Sequence, residues 1–390
     1  MAFTTLSGDY NPIHSDFDYT YTTFFGKPIY HGMFLCLLGL ERWVRHKDLS
    51  GSNRLSSLKC TFLNHVHTDQ KFEIIPGDLS FILKKNNVKC VECEFVMETT
   101  VPRKVSTRKV IQTKPKNPKL DELPKKIDYH MHIDIEELHT VFPVLSKFID
   151  NLQLIQLINL SRFVGMISPG LNSIFSSFHI SFGSQTKDFR RLVFTLDKVV
   201  KETREVEYAF TGYEIKGRIC SFYRPEPVVS KSMKDIDIDK TQFDGEKVLV
   251  IGGSQGLGEA IAKIYCQGGA EVTITYNKSA KKAQEIREDS LNKIQIRHFD
   301  ITKDIDLDDT YTSLFYMATP YITTNGGFDT LLFQKYYAYY VEGFLKVFFC
   351  LKSVRKVFYP STTAVSLFPE YACRRKNYRS PLKTVSKYRV

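Results

Sequence analysis

Two regions of the chain repeat one order of hydrophobic and polar positions, a helical run followed by several strands. The apolar runs at residues 33–44 and 145–164 are predicted to be helices. After each run, apolar and polar residues alternate as they do in half-buried strands. The clearest strands are predicted at residues 72–75, 91–97, 191–199 and 205–213. This pattern predicts two similar halves that each combine a helix with several strands.

A different pattern begins at Lys247. An apolar strand there leads into a glycine-rich turn, a helix is predicted at residues 259–266, and a second strand ends at Tyr276. A strand, a glycine turn and a helix in this order open a βαβ unit. The last part of the chain is therefore predicted to be an α/β domain.

Proline and charge mark the boundaries between these regions. Residues 102–126 combine four prolines with nine Lys and Arg and carry +7, and residues 374–390 carry another +7. These two segments account for the net charge of +11, so no basic domain remains and a nucleic-acid partner is not expected. The predicted domains are a first half at 1–101, a basic crossing linker at 102–126, a second half at 127–228, a linker at 229–245 and an α/β domain at 246–390.

Composition excludes several classes of protein. The chain has 43% hydrophobic and 25% charged residues, which is typical of a globular protein with buried cores. We expect no transmembrane helix, because no uncharged apolar run reaches 18 residues, and no signal peptide is visible at the start. The eight cysteines form no disulfide framework, which favours a reducing cytoplasm.

Neither the cysteines nor the histidines predict a metal site. Cys90 and Cys93 form a CxxC pair, but they lie in an alternating run that favours a strand over a metal or redox role. In each of two histidine pairs the residues are two positions apart, so on a strand they would share a face. No third ligand follows at a spacing typical of a metal site. We interpret these pairs, His65 with His67 and His130 with His132, as structural or solvent-facing.

The first segment with chemical character runs from Phe3 to His14. It places Asp9, Asn11 and His14 around a glycine and a proline, in a loop that can turn a carboxylate and an imidazole toward one cavity. An Asp and a His near one water are suited to acid–base chemistry. Farther on, His31-Gly-Met33 opens an apolar helix, whose first amides can stabilise an oxyanion. The alternative is structural: Asp9 and Asn11 cap a turn and His14 packs beneath it.

Two motifs together resemble the MaoC-like, (R)-specific enoyl-thioester hydratases and dehydratases. They are Leu6-Ser-Gly-Asp-Tyr-Asn-Pro-Ile-His14 and Phe25-Gly-Lys-Pro-Ile-Tyr-His-Gly-Met33. The resemblance implies a hot-dog fold, in which a sheet wraps a central helix. It implies that Asp9 and His14 are the catalytic pair, that Asn11 supports their loop, and that the Gly32 amide receives the thioester oxygen.

The resemblance extends to the second half. Residues 164–171 look like part of the second repeat of a double hot-dog protein, but this half has no Asp-x-Asn-Pro-x-His motif. We therefore expect residues 127–228 to support the first half and to shape the acyl tunnel.

The second chemical signature is the glycine turn after Lys247. Gly252, Gly256 and Gly258 give the pattern GxxxGxG between a buried-type strand and a helix. Such glycines let the backbone approach a pyrophosphate, and the helix N-terminus favours its charge. No acid stands at the end of the second strand to hold a ribose hydroxyl, and Lys278 follows, which favours NADP over NAD. The alternative is a glycine turn that binds no nucleotide.

This part of the chain resembles the short-chain dehydrogenase/reductase family. The resemblance implies that Asp300 approaches the adenine, that Ser361 polarises a substrate carbonyl and that Tyr371 donates a proton. The family lysine falls on Arg375, with Lys376 one position later, and the domain is expected to be incomplete at its C-terminus. The predicted cofactor contacts are Gly252, Ser254, Gly256, Leu257, Gly258, Lys278 and Asp300.

The sequence therefore predicts a double hot-dog α+β fold followed by a Rossmann-like α/β domain. The expected activity is reversible hydration of 2-enoyl thioesters, or dehydration of 3-hydroxyacyl thioesters, carried on CoA or an acyl carrier protein. We expect a cytoplasmic enzyme of fatty acid metabolism, which could form a homodimer, with NADP as the cofactor of the second part and no metal. Two alternatives stay open: a 3-ketoacyl thioester reductase whose hot-dog part only binds the acyl chain, and a non-catalytic acyl- or nucleotide-binding scaffold.

Overall fold

The computed structural model divides into two compact units, residues 1–227 and 228–390. It describes residues 2–21, 23–47, 52–99, 105–109, 113–183, 190–225, 230–303, 307–308, 310–320 and 330–360.

The first unit is built on a nine-stranded antiparallel sheet in the order β2-β3-β4-β1-β6-β9-β8-β7-β5. Its strands are β1 (Asn53–Phe62), β2 (Glu73–Pro76), β3 (Ser80–Lys85), β4 (Val88–Thr99), β5 (Lys126–His130), β6 (Ser173–Phe182), β7 (Arg191–Val200), β8 (Glu205–Gly212) and β9 (Ile215–Tyr223). From the central pair β1–β6 outward, β4-β3-β2 on one side mirror β9-β8-β7 on the other. The repeat in the hydrophobic pattern is therefore a repeat of strand order.

Two long helices lie within the core of this unit. The helices are α1 (Ala2–Ser7), α2 (Phe17–Tyr21), α3 (Gly32–His46), α4 (Ile135–Val141), α5 (Leu145–Phe148) and α6 (Asn151–Arg162). The helix predicted at residues 33–44 corresponds to α3. Every residue of α6 after Asn151 is buried, so this helix is enclosed on all sides.

The single helix predicted at residues 145–164 is wrong in detail, because the structure divides this segment into three pieces. The short helix α5 ends before Ile149, which is extended, and Asp150 then starts α6 by accepting a hydrogen bond from the Leu152 amide at 2.8 Å. After α6 the chain continues in a π-helical turn, Phe163–Ile167. The hydrophobic periodicity continues across both interruptions, so the sequence pattern alone does not reveal them.

The polar residues buried on α6 tie the helix to both halves of the sheet. Gln153 accepts a hydrogen bond from the Leu55 amide at 2.7 Å and donates one to the Leu55 carbonyl, at an irregularity of β1. Asn159 bonds both backbone groups of His132 and accepts a hydrogen bond from the Tyr129 hydroxyl. Because buried polar groups need partners, these contacts fix the position and rotation of the helix.

The second unit contains a five-stranded parallel sheet in the order β12-β11-β10-β13-β14. Its strands are β10 (Lys247–Ile251), β11 (Glu271–Tyr276), β12 (Gln295–His298), β13 (Ser313–Tyr316) and β14 (Lys356–Phe358). Its helices are α7 (Gly256–Gln267), α8 (Ala280–Asp289), α9 (Thr330–Tyr337) and α10 (Gly343–Cys350). The strand order reverses direction beside β10, where ligands of open α/β sheets bind. In the part of the chain that the structure describes, no helix is both long enough and apolar enough to cross a membrane.

Candidate active site

The loop after α1 is held in place by the second half of the first unit. Gly8, with φ of +66°, lets the chain turn out of α1, and Asn11 then caps a single 3-10 turn by accepting a hydrogen bond from the Ile13 amide. The Asn11 side chain is fully buried and donates to three carbonyl oxygens, at 3.1–3.3 Å, that lie more than 150 residues away. These acceptors belong to Gly165, Gly170 and Leu171. They hold the loop against the second half, while the role that the resemblance implies for Asn11 in catalysis stays a prediction.

Asp9 lies in a polar niche closed from solvent, with 2% of its surface exposed. Its Oδ2 accepts a hydrogen bond from the Ser161 hydroxyl at 2.8 Å, and its Oδ1 accepts one from the Asn11 amide at 3.3 Å. The Gly165 backbone lies so close that an added Cβ would stand 2.2 Å from Asp9 Oδ1. The end of α6 and the turn that follows it therefore shape the niche.

Burial raises the pKa of Asp9 to about 7, against the lowering effects of the Ser161 hydroxyl, the Asn11 amide and the Arg162 guanidinium. A carboxyl group with this pKa exchanges its proton readily at neutral pH. That property suits a group that accepts and returns a proton in each reaction cycle.

His14 is oriented by the chain that leads to α3. Its Nδ1 lies 2.9 Å from the Ile29 carbonyl oxygen, which can only accept, so Nδ1 carries the proton and Nε2 is left as an acceptor. Burial lowers the pKa of His14 to about 4, despite the opposing effect of this hydrogen bond. His14 is therefore a neutral imidazole near pH 7.

His31 completes a group of three titratable side chains. Its ring stacks on His14 with centroids 3.5 Å apart, and its Nε2 lies 3.2 Å from the Asp9 carbonyl oxygen and 3.9 Å from Asp9 Oδ2. One donor atom from each of Asp9, His14 and His31 lies within 4.8 Å of the others. His31 is also the residue before α3, so the group lies beside Gly32, whose amide lacks an intrahelical partner by position.

The arrangement fits acid–base chemistry better than metal binding. The lone pairs of an imidazole lie in the plane of its ring, and the planes of His14 and His31 are stacked at an angle of only 23°. The lone pairs of two stacked rings therefore lie in nearly parallel planes and do not point to one common centre. His14 Nδ1 and His31 Nε2 are also already hydrogen-bonded to backbone carbonyl oxygens.

The two motifs of the first half point to Asp9, His14, Asn11 and Gly32 but not to the residues that complete their surroundings. The second motif contains a signal for His31, because this histidine stands directly before Gly32. Ser161 and Gly165 carry no signal in the sequence, because they lie more than 150 residues from Asp9 in a run that reads as an apolar helix.

The glycine turn of the second unit packs as closely as a phosphate-binding turn requires. Gly252 and Gly256 have φ of +78° and +61°, a region that favours glycine. A Cβ on Gly258 would lie 2.5 Å from the Gly252 carbonyl oxygen, so only glycine lets α7 begin this close to β10. Ser254 is buried in this turn, whereas Leu257 is 71% exposed.

The other residues predicted to bind the cofactor lie at the same edge of the sheet. Lys278 is exposed and follows β11, and Asp300 follows β12, where its Oδ1 accepts hydrogen bonds from the amide and hydroxyl of Thr302. These bonds lower the pKa of Asp300 and hold it ionised. Ser361, Tyr371, Arg375 and Lys376 lie outside the described residues.

Two family models each match one segment of the chain. Residues 1–94 match the model of the MaoC-like domain, and residues 246–318 match that of short chain dehydrogenase. The chain carries a MaoC-like domain followed by a short-chain dehydrogenase domain. The two resemblances predicted from the motifs are confirmed, and the glycine turn lies in the second matched segment. No match was found among curated proteins.

Several solved structures are similar to parts of this chain. A short chain dehydrogenase from Salmonella enterica serovar Typhi is 16% identical, with a TM-score of 0.26, over 30% of this chain and 55% of its own. The FolM alternative dihydrofolate reductase 1 of Brucella canis, complexed with NADP, is 18% identical, with a TM-score of 0.25, over 27% of this chain and 48% of its own. The tesB protein of Mycobacterium avium paratuberculosis is 10% identical, with a TM-score of 0.30, over 51% of this chain and 88% of its own. The chain thus spans about half the length of this dehydrogenase and of the FolM reductase.

Proposed function

We propose that the first unit is a double hot-dog enzyme that hydrates 2-enoyl thioesters to (R)-3-hydroxyacyl thioesters and catalyses the reverse dehydration. The observation that carries the proposal is the meeting of Asp9 and His14 with His31 beside the first amides of α3. A carboxyl group with a pKa of about 7, a neutral imidazole and a helix N-terminus are what this reaction requires.

In hydration, ionised Asp9 and the free Nε2 of His14 hold one water molecule. Asp9 takes a proton from this water as the oxygen adds to C3 of the enoyl group, and then gives the proton to C2. In dehydration the same carboxylate removes the C2 proton and returns it to the departing hydroxyl. His14 stays neutral throughout and orients the water, which its low pKa favours.

Negative charge on the thioester oxygen is stabilised at the start of α3. As the bond to C3 changes, charge moves onto this oxygen, and the Gly32 amide donates a hydrogen bond to it. The helix N-terminus adds its partial positive charge at the same place. The Phe62 ring lies 3.1 Å from where a Gly32 Cβ would stand, so a larger residue at this position would press against the ring.

The proposal assigns residues 1–101 as the catalytic half and residues 127–228 as the supporting half. The supporting half contributes the Ser161 hydroxyl to Asp9 and three carbonyl oxygens to Asn11. These contacts hold the catalytic loop, in addition to any role of this half in shaping an acyl tunnel.

Hydration of crotonyl-CoA by the purified chain, with chiral analysis of the product, tests this proposal. We expect (R)-3-hydroxybutyryl-CoA, and we expect His14→Ala to lower kcat/KM by about 10²-fold or more. The His139→Ala variant, which alters an exposed histidine on α4, serves as the control and should retain activity. An (S) product, or full activity of His14→Ala, would contradict the assignment.

We further propose that the second unit binds NADP(H), because its glycine turn leaves the backbone open to a pyrophosphate at the start of α7. Exposed Lys278 would bind the 2′-phosphate. Lys278→Glu should then weaken NADPH binding at least about 10-fold and leave NADH binding nearly unchanged, whereas Lys281→Glu, at an exposed position on α8, should change neither. Fluorescence titration measures both, and equal losses for the two variants would contradict the role of Lys278.

A 3-ketoacyl thioester reductase remains the second candidate function, on the same evidence of a nucleotide-binding turn. NADPH oxidation with acetoacetyl-CoA, lost in Tyr371→Phe and retained in Asp9→Asn, would favour it over the hydratase.

A further inference from the structure

Three cysteines from three separate elements meet in the core of the first unit. Cys36 lies on α3, Cys60 on β1 and Cys93 on β4, and their Sγ atoms all lie within 4.8 Å of one another. Cys60 and Cys93 are direct partners in the antiparallel ladder. At most 2% of each residue is exposed. The three thiols therefore form a closed cluster between a helix and two adjacent strands.

The cluster is not the CxxC pair of the sequence. Cys90 and Cys93 both lie in β4, as predicted, but of the two only Cys93 belongs to the cluster. Its two partners come from positions 36 and 60, where the sequence shows no ligand spacing.

The three thiols interact mainly with one another. Hydrogen bonds from Cys60 and Cys93 lower the pKa of Cys36, whereas burial raises the pKa of Cys60 and of Cys93. The surrounding core is apolar, and it includes Phe81, the ladder partner of Cys93.

The separation of the sulfur atoms suits three-coordinate binding. Bonds of about 2.3 Å from one centre place three sulfurs roughly 3.5–4 Å apart, nearer 3.5 Å where the centre carries a lone pair and is pyramidal. The three Sγ atoms lie within 4.8 Å of one another, so rotation of the side chains can bring them together around one centre. No carboxylate or imidazole from the described residues belongs to the group.

Charge decides which ligand fits best. Three thiolates around a trivalent centre give a neutral complex, whereas a divalent or monovalent ion leaves negative charge in an apolar core, which is costly. We propose that Cys36, Cys60 and Cys93 form a three-sulfur binding site for a trivalent thiophilic centre of the As(III) type. Arsenous acid, As(OH)3, exchanges its three hydroxyls for the sulfurs of three thiols, and each thiol proton leaves with a hydroxyl as water, without oxidation or reduction.

Occupation of the site ties α3 to β1 and β4. A ligand that binds the folded state and not the unfolded one raises the melting temperature. Because α3 also carries Gly32, one turn before Cys36, the site joins the helix of the candidate active site to the sheet.

The test uses the reduced full-length chain and sodium arsenite. X-ray absorption should show arsenic bound to three sulfurs, with one arsenic per chain by native mass spectrometry and a higher melting temperature. Cys93→Ala should lose the three-sulfur coordination, weaken binding at least 10-fold and abolish the thermal shift. Cys90→Ala, which removes another buried cysteine of the same strand that lies outside the cluster, is the matched control and should bind arsenic as wild type does.

Two results would overturn the proposal. One is arsenic bound to two sulfurs or to oxygen in the folded wild-type chain, or not bound at all. The other is equal binding by Cys93→Ala and Cys90→Ala. The coordination measured on the wild type decides the question even where Cys93→Ala folds poorly.

Discussion

At the scale of single residues, opposing influences on Asp9 set the chemistry of the candidate site. Burial favours its neutral form, and the Ser161 hydroxyl and the Asn11 amide favour its charge. The balance gives a pKa of about 7, between a permanent carboxylate and a permanent acid. The pKa of His14 is about 4, so between about pH 4 and pH 7 the carboxyl group of Asp9 is mainly protonated and the imidazole of His14 is mainly unprotonated.

This balance predicts a pH dependence for hydration. The reaction uses ionised Asp9, so kcat/KM should rise as the pH passes through about 7. In Ser161→Ala the charged form loses a hydrogen bond, its pKa rises, and the midpoint of the profile should move to higher pH by about one unit. Ser146→Ala, at a buried serine on α5, is the control and should keep the wild-type midpoint. A shift to lower pH, or equal profiles for all three proteins, would contradict this assignment of Asp9.

The sequence could reveal only part of this environment. Asp9, Asn11 and His14 lie within six positions, and their residue types in a Gly- and Pro-containing loop indicate chemistry without any structure. The contacts of Ser161 and Gly165 with Asp9 depend on the packing of one half against the other, which no local pattern encodes.

At the scale of elements, α6 and the π-helical turn after it determine the shape of the Asp9 niche. The sequence predicted a helix here, and the hydrophobic positions explain why, since apolar residues face every side of an enclosed helix. The break before α6 was predictable in principle from Asp150, a residue type that favours helix starts. The π-helical turn at Phe163–Ile167 was not, because it depends on tertiary contacts such as those of Gly165.

Gly165 offers a direct test of this element. A Cβ in Gly165→Ala would stand 2.2 Å from Asp9 Oδ1, so the carboxylate must move. We expect kcat/KM to fall at least about 10-fold, with a loss of stability of about 1–3 kcal/mol from overpacking. Gly217→Ala overpacks the sheet against the His179 carbonyl, away from Asp9, and should lower stability without changing kcat of the folded protein. Equal kcat for Gly165→Ala and wild type would contradict the expectation that the close contact between Gly165 and Asp9 matters for catalysis.

At the scale of the whole molecule, the chain contains two units with separate hydrophobic cores. The core of the first unit includes residues of both halves around α3 and α6, and the cores of the second lie on the two faces of its parallel sheet. The change of pattern at Lys247 predicts an α/β domain after the first two halves, because alternating strands and a strand–glycine–helix order belong to different fold classes.

Separate cores predict separate unfolding. Calorimetry should show two transitions, and NADPH at about 100 times its dissociation constant should stabilise only the second unit, by about 2.7 kcal/mol. The matched control is NADPH added to Lys278→Glu, where the shift should shrink. A single transition, or a shift of both transitions, would contradict this division.

The central claim is that Asp9 is the proton-transferring group of an enoyl-thioester hydratase. The most direct measurement is kcat/KM for crotonyl-CoA hydration by wild type, Asp9→Asn and Asp18→Asn. Asn keeps the size of the side chain but cannot take a proton, so Asp9→Asn should lose about 10²–10⁴-fold. Asp18→Asn makes the same change at an exposed position of α2 and should retain full activity. Equal activity of Asp9→Asn and wild type, or a folded wild-type chain that hydrates no enoyl-CoA, would contradict the claim.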